Sequence, residues 1–269
     1  MNPPRLVIFD MAGTTVEDDG QVPAAFTVAL AAHGINVTPA QINRVRGASK
    51  RQAMLRFVPE GPRQADDAAA MYTRFRQELA HRYATGGVRP IAGAAEAFRD
   101  LRQRGIKVAL TTGFDRDTTT MLLSALGWLD HTVDTIVCGD DVAQGRPAPD
   151  LILRAMANTA ITNAAQVAVI GDTTLDLAAG ARAGVGWNVG VLSGAHGREA
   201  LELAPHTHIV GSVADLLRVF VEAGLQSRLP GASKDTPLRF RPFENLVHDK
   251  HVGEQGAHMN RRVHVVNHL

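Results

Sequence analysis

Short apolar runs alternate with helix-like stretches along most of the chain. The runs lie at Arg5–Phe9, Ile106–Leu110, Val133–Val137 and Val167–Ile170. Such runs are typical of strands that are buried on both faces of a sheet. Between and after them, apolar residues recur at helical spacing in Gly93–Arg104, Asp117–Leu126, Asp150–Asn158 and Leu175–Ala183. The alternation predicts an α/β fold with a doubly wound, Rossmann-like parallel sheet.

One long segment breaks this alternation. Between Pro23 and Tyr83, apolar residues such as Phe26 and Leu30 recur at helical spacing, and no run has the character of a strand. The segment is therefore predicted to be a helical cap inserted into the core, with linkers near residues 16–22 and 86–90. The predicted division is an α/β core of residues 1–16 and 88–222, a cap of residues 17–87, and a tail.

The tail, residues 223–269, has a different composition from the rest of the chain. It contains five of the eleven histidines, at an irregular spacing that fits no compact set of metal ligands. Disorder is the expectation for this tail.

Composition narrows the class of ligand. The chain has 28 Lys and Arg against 27 Asp and Glu, so its net charge favours neither nucleic acid nor an anionic membrane. A small metabolite is the expected partner. The single Cys138 excludes an internal disulfide, and no apolar stretch has the length of a signal peptide or a membrane span. We therefore expect a cytoplasmic protein.

Polar residues suited to phosphoryl chemistry follow each predicted strand. Asp10 comes after the first, Thr112 after the second, Arg146 beyond the third and Asp172 after the fourth. The carboxyl ends of parallel strands share one edge, where open α/β sheets bind ligands. A phosphoryl group in transfer needs a divalent metal, a fixed cation and short donors. We expect Asp10 and Asp172 to bind Mg²⁺ together with a backbone carbonyl, that of Ala12, and waters.

The order of these motifs resembles that of the haloacid dehalogenase superfamily over roughly residues 5–215. The resemblance implies that Asp10 is a nucleophile that forms an aspartyl-phosphate. It implies that Thr112 and Gly113 hold the phosphoryl oxygens, and that Arg146 replaces the family's motif-three lysine. Asp176, one helical turn after Asp172, would support the metal's waters or orient Arg146.

Ala12 is the position that restricts which leaving groups the site could expel. Phosphatases of this superfamily usually have a second Asp there, which protonates the leaving alcohol. Without this general acid, the expulsion of a basic alkoxide would lose about two to four decades of rate. The stretch from Asp10 to Val16, and the Gly145-Arg146-Pro147 sequence, resemble the phosphonatase branch, whose members cleave a carbon–phosphorus bond.

Lys50 is the candidate for the special chemistry of that branch. Phosphonatases use a cap lysine that forms a Schiff base with the substrate aldehyde, and Lys50 stands at the matching place after Gly47, Ala48 and Ser49. A solvated surface lysine is an equally good interpretation of the pattern. If Lys50 is desolvated near Asp10, its pKa should fall enough to provide free amine.

Three departures from the branch keep other functions open. Arg46, Ala53 and Phe114 stand where phosphonatases have Met, His and Tyr. One alternative is a phosphomonoesterase similar to phosphoglycolate phosphatases, in which Arg46, Gly47 and Lys50 bind the non-reacting anionic end of the substrate. A catalytically weak binding or regulatory relative is the third interpretation. By resemblance, a homodimer would form through helices near residues 24–33.

Overall fold

A six-stranded parallel sheet forms the centre of the fold. The computed structural model describes residues 3–129, 131–222 and 224. The strands, in the spatial order β3-β2-β1-β4-β5-β6, are β1 (Leu6–Asp10), β2 (Lys107–Thr111), β3 (Thr135–Val137), β4 (Val167–Gly171), β5 (Trp187–Val191) and β6 (His208–Val210). All five strand pairings are parallel. The order reverses beside β1, which places the carboxyl end of β1 at the position where such sheets bind ligands.

Helices cover the sheet and form the inserted segment. They are α1 (Gln21–Ala31), α2 (Pro39–Asn43), α3 (Lys50–Leu55), α4 (Gln64–Gly86), α5 (Ala94–Gln103), α6 (Arg116–Ala125), α7 (Asp150–Asn158), α8 (Thr174–Ala183), α9 (Arg198–Glu202) and α10 (Leu216–Glu222). None of the helices in the described residues is both long enough and apolar enough to cross a membrane.

The predicted α/β fold with an inserted helical cap is confirmed. Helices α1 to α4 lie between β1 and α5, and the described chain has no strand within them. Long helix α4 packs its buried face, which includes Phe75 and Leu79, against α1. Phe26 of α1 meets Phe75 edge to face, with ring centroids 5.1 Å apart. Phe26, Phe75 and Leu79 belong to the same buried apolar cluster as Phe9 of β1, so the apolar interior of the inserted helices continues into that of the core.

The two linkers between core and cap lie side by side. Val16 and Pro90 form an antiparallel bridge. The amide of Glu17 donates to the carbonyl of Arg89 over 2.9 Å, and the amide of Ile91 donates to the carbonyl of Thr15 over 2.9 Å. The polypeptide thus enters and leaves the cap through one paired connection.

The four predicted strands are found within one or two residues of their predicted bounds, but β5 and β6 were missed. β5 is fully buried, yet its sequence, Trp-Asn-Val-Gly-Val, contains a polar residue and a glycine. Asn188 is tolerated there because its amide group donates to the carbonyls of Leu177 and Pro205, both over 2.7 Å. These partners are supplied by tertiary packing, so the local pattern could not indicate them. The predicted disordered tail lies outside the described residues.

Candidate active site

The ends of β1, β2 and β4 bring the predicted polar residues to one edge of the sheet. Asp10 is the last residue of β1 and pairs in register with Thr111, the last residue of β2. Asp172 follows directly after β4, which is the neighbour of β1 on its other side. Because β1 is central, Asp10 lies between the other two strand ends.

Three buried carboxylates meet at this edge. Oxygens of Asp10, Asp172 and Asp176 all lie within 4.8 Å of one another, and each residue is at most 6% exposed. Burial, the strongest cause, and repulsion from neighbouring carboxylates raise the pKa of Asp10 to about 6 and that of Asp172 to about 8. Buried carboxylates with raised pKa values are a donor set that suits a hard divalent cation such as Mg²⁺.

The Asp172 carboxylate is held by two turns that follow other strands. The amide of Ala195, after β5, donates to Oδ2 over 2.6 Å, and Thr14, after β1, donates its hydroxyl to Oδ1 over 3.4 Å. A Cβ atom at Gly13 would lie 2.3 Å from Asp172 Oδ2, and one at Gly194 would lie 2.0 Å from it. Gly13 also has a φ of +93°. Glycine is therefore required at both positions for the turns to approach this carboxylate.

Arg146 connects the carboxylates with the end of β2. Its Nη1 donates to Asp10 Oδ1 over 2.6 Å, and its Nη2 donates to the hydroxyl of Thr111 over 2.7 Å. Its Nε lies 2.8 Å from Asp176 Oδ1. Nη1 also reaches the carbonyl of Gly47 in the cap over 3.4 Å. One buried guanidinium thus fixes the nucleophile candidate and contacts the cap loop.

Asp176 already has protein contacts at both carboxylate oxygens. Oδ1 faces Arg146, and Oδ2 accepts from the amide and the hydroxyl of Thr173 in the capping box that begins α8. The ion pair suits a role in which Asp176 orients Arg146, while the buried Oδ1 accepts no hydrogen bond within the described residues and remains available to a metal or its waters. Its predicted indirect role stays a prediction.

Lys50 is buried, so the interpretation of a solvated surface lysine is wrong. The residue is 7% exposed, its ammonium donates to the carbonyl of Ala48 over 3.2 Å, and it lies 5.2 Å from the ring centroid of Phe114. Burial lowers the pKa of Lys50; the Asp10 carboxylate opposes this shift, and Arg146 adds to it. Amine chemistry becomes accessible at a lower pH than for a surface lysine.

The cap loop before Lys50 lies directly on the core loops. The amide of Lys50 donates to the carbonyl of Gly113 over 3.1 Å. A Cβ at Gly113 would lie 2.3 Å from the carbonyl oxygen of Ala48, and a Cβ at Gly47 would lie 2.4 Å from Thr173 Oγ1. Gly47 also has a φ of +83°. Both glycines therefore allow a backbone approach that a larger residue would prevent.

A small cavity of about 20 Å³ lies between the cap loop and the sheet edge. It is lined by every predicted site residue except Asp176: Asp10, Ala12, Arg46, Gly47, Lys50, Thr112, Gly113, Arg146 and Asp172. A cavity of this size holds about one water, so an organic substrate requires the cap loop to move away from the core. Thr112, which was predicted to hold phosphoryl oxygens, is fixed through its amide, which donates to the carbonyl of Val137 over 3.0 Å.

Two further residues at the cavity were missed in the sequence. Thr173 lines it and begins α8; the capping-box spacing of Thr173 and Asp176 was a signal that could have found it. Asp18 also lines the cavity and pairs with Arg46 over 2.6 Å, and no local pattern marks it. Asp115 caps α6 by accepting from the amide of Thr118 over 2.9 Å.

Known proteins are similar to this chain in sequence and in fold. Residues 7–189 match the family model of haloacid dehalogenase-like hydrolases. A phosphonoacetaldehyde hydrolase of Bacillus cereus is 31% identical over 205 residues, which cover 70% of this chain and 75% of that protein.

Solved structures support the same relationship. A hydrolase from Pseudomonas syringae has a TM-score of 0.73 and 28% identity, covering 81% of this chain and 98% of that one. A phosphonoacetaldehyde hydrolase-like protein from Oleispira antarctica has a TM-score of 0.72 and 25% identity, covering 82% and 92%. The chain belongs to the haloacid dehalogenase-like hydrolases, within their phosphonatase-like branch.

Proposed function

We propose that this hydrolase cleaves the carbon–phosphorus bond of a small phosphonate that carries a carbonyl group, with Mg²⁺ bound and with an aspartyl-phosphate formed on Asp10. The observation that carries the proposal is the buried Lys50, which lines the same cavity as Asp10 and has a lowered pKa. An alkoxide leaving group would need a proton donor at the position of Ala12, and alanine has none.

The reaction begins at Lys50. Its unprotonated amine adds to the substrate's carbonyl carbon, water leaves, and the resulting imine takes a proton to become an iminium ion. The burial that lowers the pKa of Lys50 increases the fraction of free amine. The iminium then accepts the electron pair of the carbon–phosphorus bond when that bond breaks.

Asp10 is the group that attacks phosphorus. One of its carboxylate oxygens forms the new oxygen–phosphorus bond while the carbon–phosphorus pair moves into the iminium, which gives an enamine. Arg146, 2.6 Å from Asp10 Oδ1, orients the carboxylate and opposes the rise in its pKa that burial causes. The ionised form required for attack is thereby favoured.

Two hydrolytic steps complete the turnover. The enamine takes a proton on carbon, and water hydrolyses the imine to release the carbonyl product and the Lys50 amine. A second water hydrolyses the aspartyl-phosphate to phosphate and Asp10. Because imine formation releases one water, the net reaction consumes one water for each phosphonate.

Mg²⁺ would be held by Asp10 and Asp172, with the carbonyl of Ala12 as a further candidate ligand. The three buried acids, which include Asp176, fit a divalent cation because their mutual repulsion otherwise has to be offset by protonation or by Arg146. The bound ion would supply positive charge against the phosphoryl oxygens. Thr112 and Gly113, at the end of β2, are proposed to hold the same oxygens.

Phosphomonoester hydrolysis is the second candidate. Ala53 and Phe114 are both buried and apolar, where phosphonatases have His and Tyr, so two polar groups of that branch are absent from this cap interface. In this case Lys50 would bind or protonate the leaving group instead of forming an imine. The residue roles at Asp10, Arg146 and Asp172 would be the same.

The test is phosphate release with Mg²⁺ from phosphonoacetaldehyde and from a panel of small phosphomonoesters. We expect turnover of the phosphonate, loss of turnover in Asp10→Asn and Lys50→Arg, and a borohydride-reduced adduct on Lys50 that mass spectrometry locates. Lys107→Arg is the matched control, because Lys107 is half-exposed and pairs with Asp134 at the far end of β2. Turnover of phosphomonoesters, with no adduct and with no phosphate released from any carbonyl-bearing phosphonate, would refute carbon–phosphorus cleavage.

A further inference from the structure

Arg46 has donors that the protein itself does not use. Its Nη2 pairs with Asp18 Oδ2 over 2.6 Å, and that carboxylate is in turn held by the amide of Val22, which donates to Oδ1 over 3.0 Å. Within the described residues, Nε and Nη1 of Arg46 contact no acceptor. Arg46 lines the cavity together with Lys50 and Asp10. A fixed guanidinium with unused N–H groups therefore borders the space where the substrate binds.

The other two cationic side chains that line this cavity, Arg146 and Lys50, are not available to bind a substrate carboxylate. Arg146 contacts Asp10 and Asp176. Lys50 must be uncharged to form an imine. Asp18 occupies one of the five N–H donors of Arg46, and a carboxylate can still accept two parallel bonds from the remaining edge. A substrate with an uncharged end would leave this edge unpaired beside the reacting carbonyl.

We infer that Arg46 is a specificity residue that binds a carboxylate on the substrate, so that the preferred substrate is a phosphonate whose carbonyl carbon also carries a carboxylate. Asp18 is then a positioning residue that holds Arg46 at the cavity. The inference rests on the proposed carbon–phosphorus cleavage, since it names the substrate class of that site. The phosphonate would lie at Asp10, the keto carbon at Lys50 and the carboxylate at Arg46.

The bond changes are the same as those proposed above for a carbonyl-bearing phosphonate without a carboxylate. The keto group condenses with Lys50, the iminium accepts the carbon–phosphorus pair, and hydrolysis releases a 2-oxo acid and phosphate. The carboxylate takes part in no bond change. It serves only to bind and orient the substrate, so its loss should appear mainly in KM.

A binding experiment tests Arg46 without turnover. 3-Phosphonopropionate has the spacing of 3-phosphonopyruvate but no carbonyl, and propylphosphonate replaces its carboxylate with a methyl group. We expect the full-length protein with Mg²⁺ to bind 3-phosphonopropionate about 10- to 100-fold more tightly than propylphosphonate by calorimetry, because a charged, bidentate contact is lost in the second ligand. Arg46→Met should remove most of this difference.

Arg44→Met is the matched control. Arg44 lies two residues earlier in the same cap loop, is exposed, and does not line the cavity. The control should keep the full preference for the carboxylate ligand. Equal binding of the two ligands by the unaltered protein, or a preference that survives Arg46→Met, would overturn the inference.

Turnover measurements distinguish a failure of the role inferred for Arg46 from a failure of the proposed carbon–phosphorus cleavage. A higher kcat/KM for 3-phosphonopyruvate than for phosphonoacetaldehyde, reversed in Arg46→Met chiefly through KM, supports both. Turnover of phosphonoacetaldehyde with the higher kcat/KM overturns the role of Arg46 and leaves carbon–phosphorus cleavage standing. If neither phosphonate reacts while phosphomonoesters do, carbon–phosphorus cleavage fails, and the phosphonate class assigned here fails with it.

Discussion

Arg146→Met tests whether one buried guanidinium offsets the charge of the acidic cluster. Arg146 is 5% exposed and contacts the carboxylates of Asp10 at 2.6 Å and Asp176 at 2.8 Å. Methionine keeps much of the chain length and removes the charge. Removing one partner of a buried ion pair costs about 3 to 5 kcal/mol, because the remaining charge is left without compensation. For a folded region of this size, that loss lowers Tm by roughly 6 to 20 °C.

The assay is thermal unfolding by far-UV circular dichroism in EDTA, at pH 8 and at pH 5.5. The loss should be larger at pH 8, because at the lower pH Asp10 and Asp172 can relieve the repulsion by binding protons. Mg²⁺ should restore part of the lost stability at pH 8, since it supplies the missing positive charge.

Arg89→Met is the control for this experiment. Arg89 also pairs with two carboxylates, those of Glu17 and Asp19, but all three side chains are more than one third exposed. Water screens these pairs, so we expect no resolvable change in Tm. An Arg146→Met protein that unfolds at the temperature of the unaltered protein in EDTA at pH 8 would refute the assignment of Arg146 as the charge that offsets the cluster.

Two further predictions concern the metal and the cap loop. The raised pKa values of Asp10 and Asp172 mean that the metal-free folded protein holds protons that the unfolded chain has released, so its stability falls as pH rises from about 4 towards 8. The increase in Tm on adding Mg²⁺ should therefore be larger at pH 8 than at pH 5, and equal increases would contradict it. Gly47→Ala should lower kcat/KM for phosphate release by about tenfold or more, because its Cβ would displace the loop from Thr173. Gly87→Ala, also at positive φ but with nothing within 4 Å, should keep the activity, and equal losses in the two variants would contradict the steric reason.

The sheet edge was predictable because its residues follow local signals. Asp10, Thr112 and Asp172 each come directly after an apolar run or within two residues of it, and parallel strands bring such positions together whatever the loops do. Arg146 lies farther from its strand, and only the resemblance to a known motif marked it. The sequence therefore indicated which core residues would meet at this edge, while their roles stay predictions.

The site residues in the cap and its linker could not be predicted in the same way, because their burial and contacts depend on tertiary packing, which leaves no local sequence pattern. Lys50 follows a turn, a position that is as common for solvated lysines as for buried ones, and its burial results from the approach of the cap loop to Gly113 and Phe114. Asp18 is one of several acidic residues in a linker, and its contact with Arg46 spans 28 positions. The turn at Ala195 that holds Asp172 was missed together with β5.

The presence of arginine instead of lysine at position 146 follows from the number of groups that it must reach. The guanidinium uses three different nitrogens for Asp10, Asp176 and Thr111, which lie in different directions around its plane. A lysine ammonium has a single nitrogen, so these contacts would have to converge on one point. Nη1 also contacts the Gly47 carbonyl, so the group that orients the nucleophile is in contact with the cap loop as well. A movement of that loop away from the core would break the contact between Arg146 and Gly47. Because Arg146 also orients Asp10, the position of the cap loop is coupled to the orientation of Asp10.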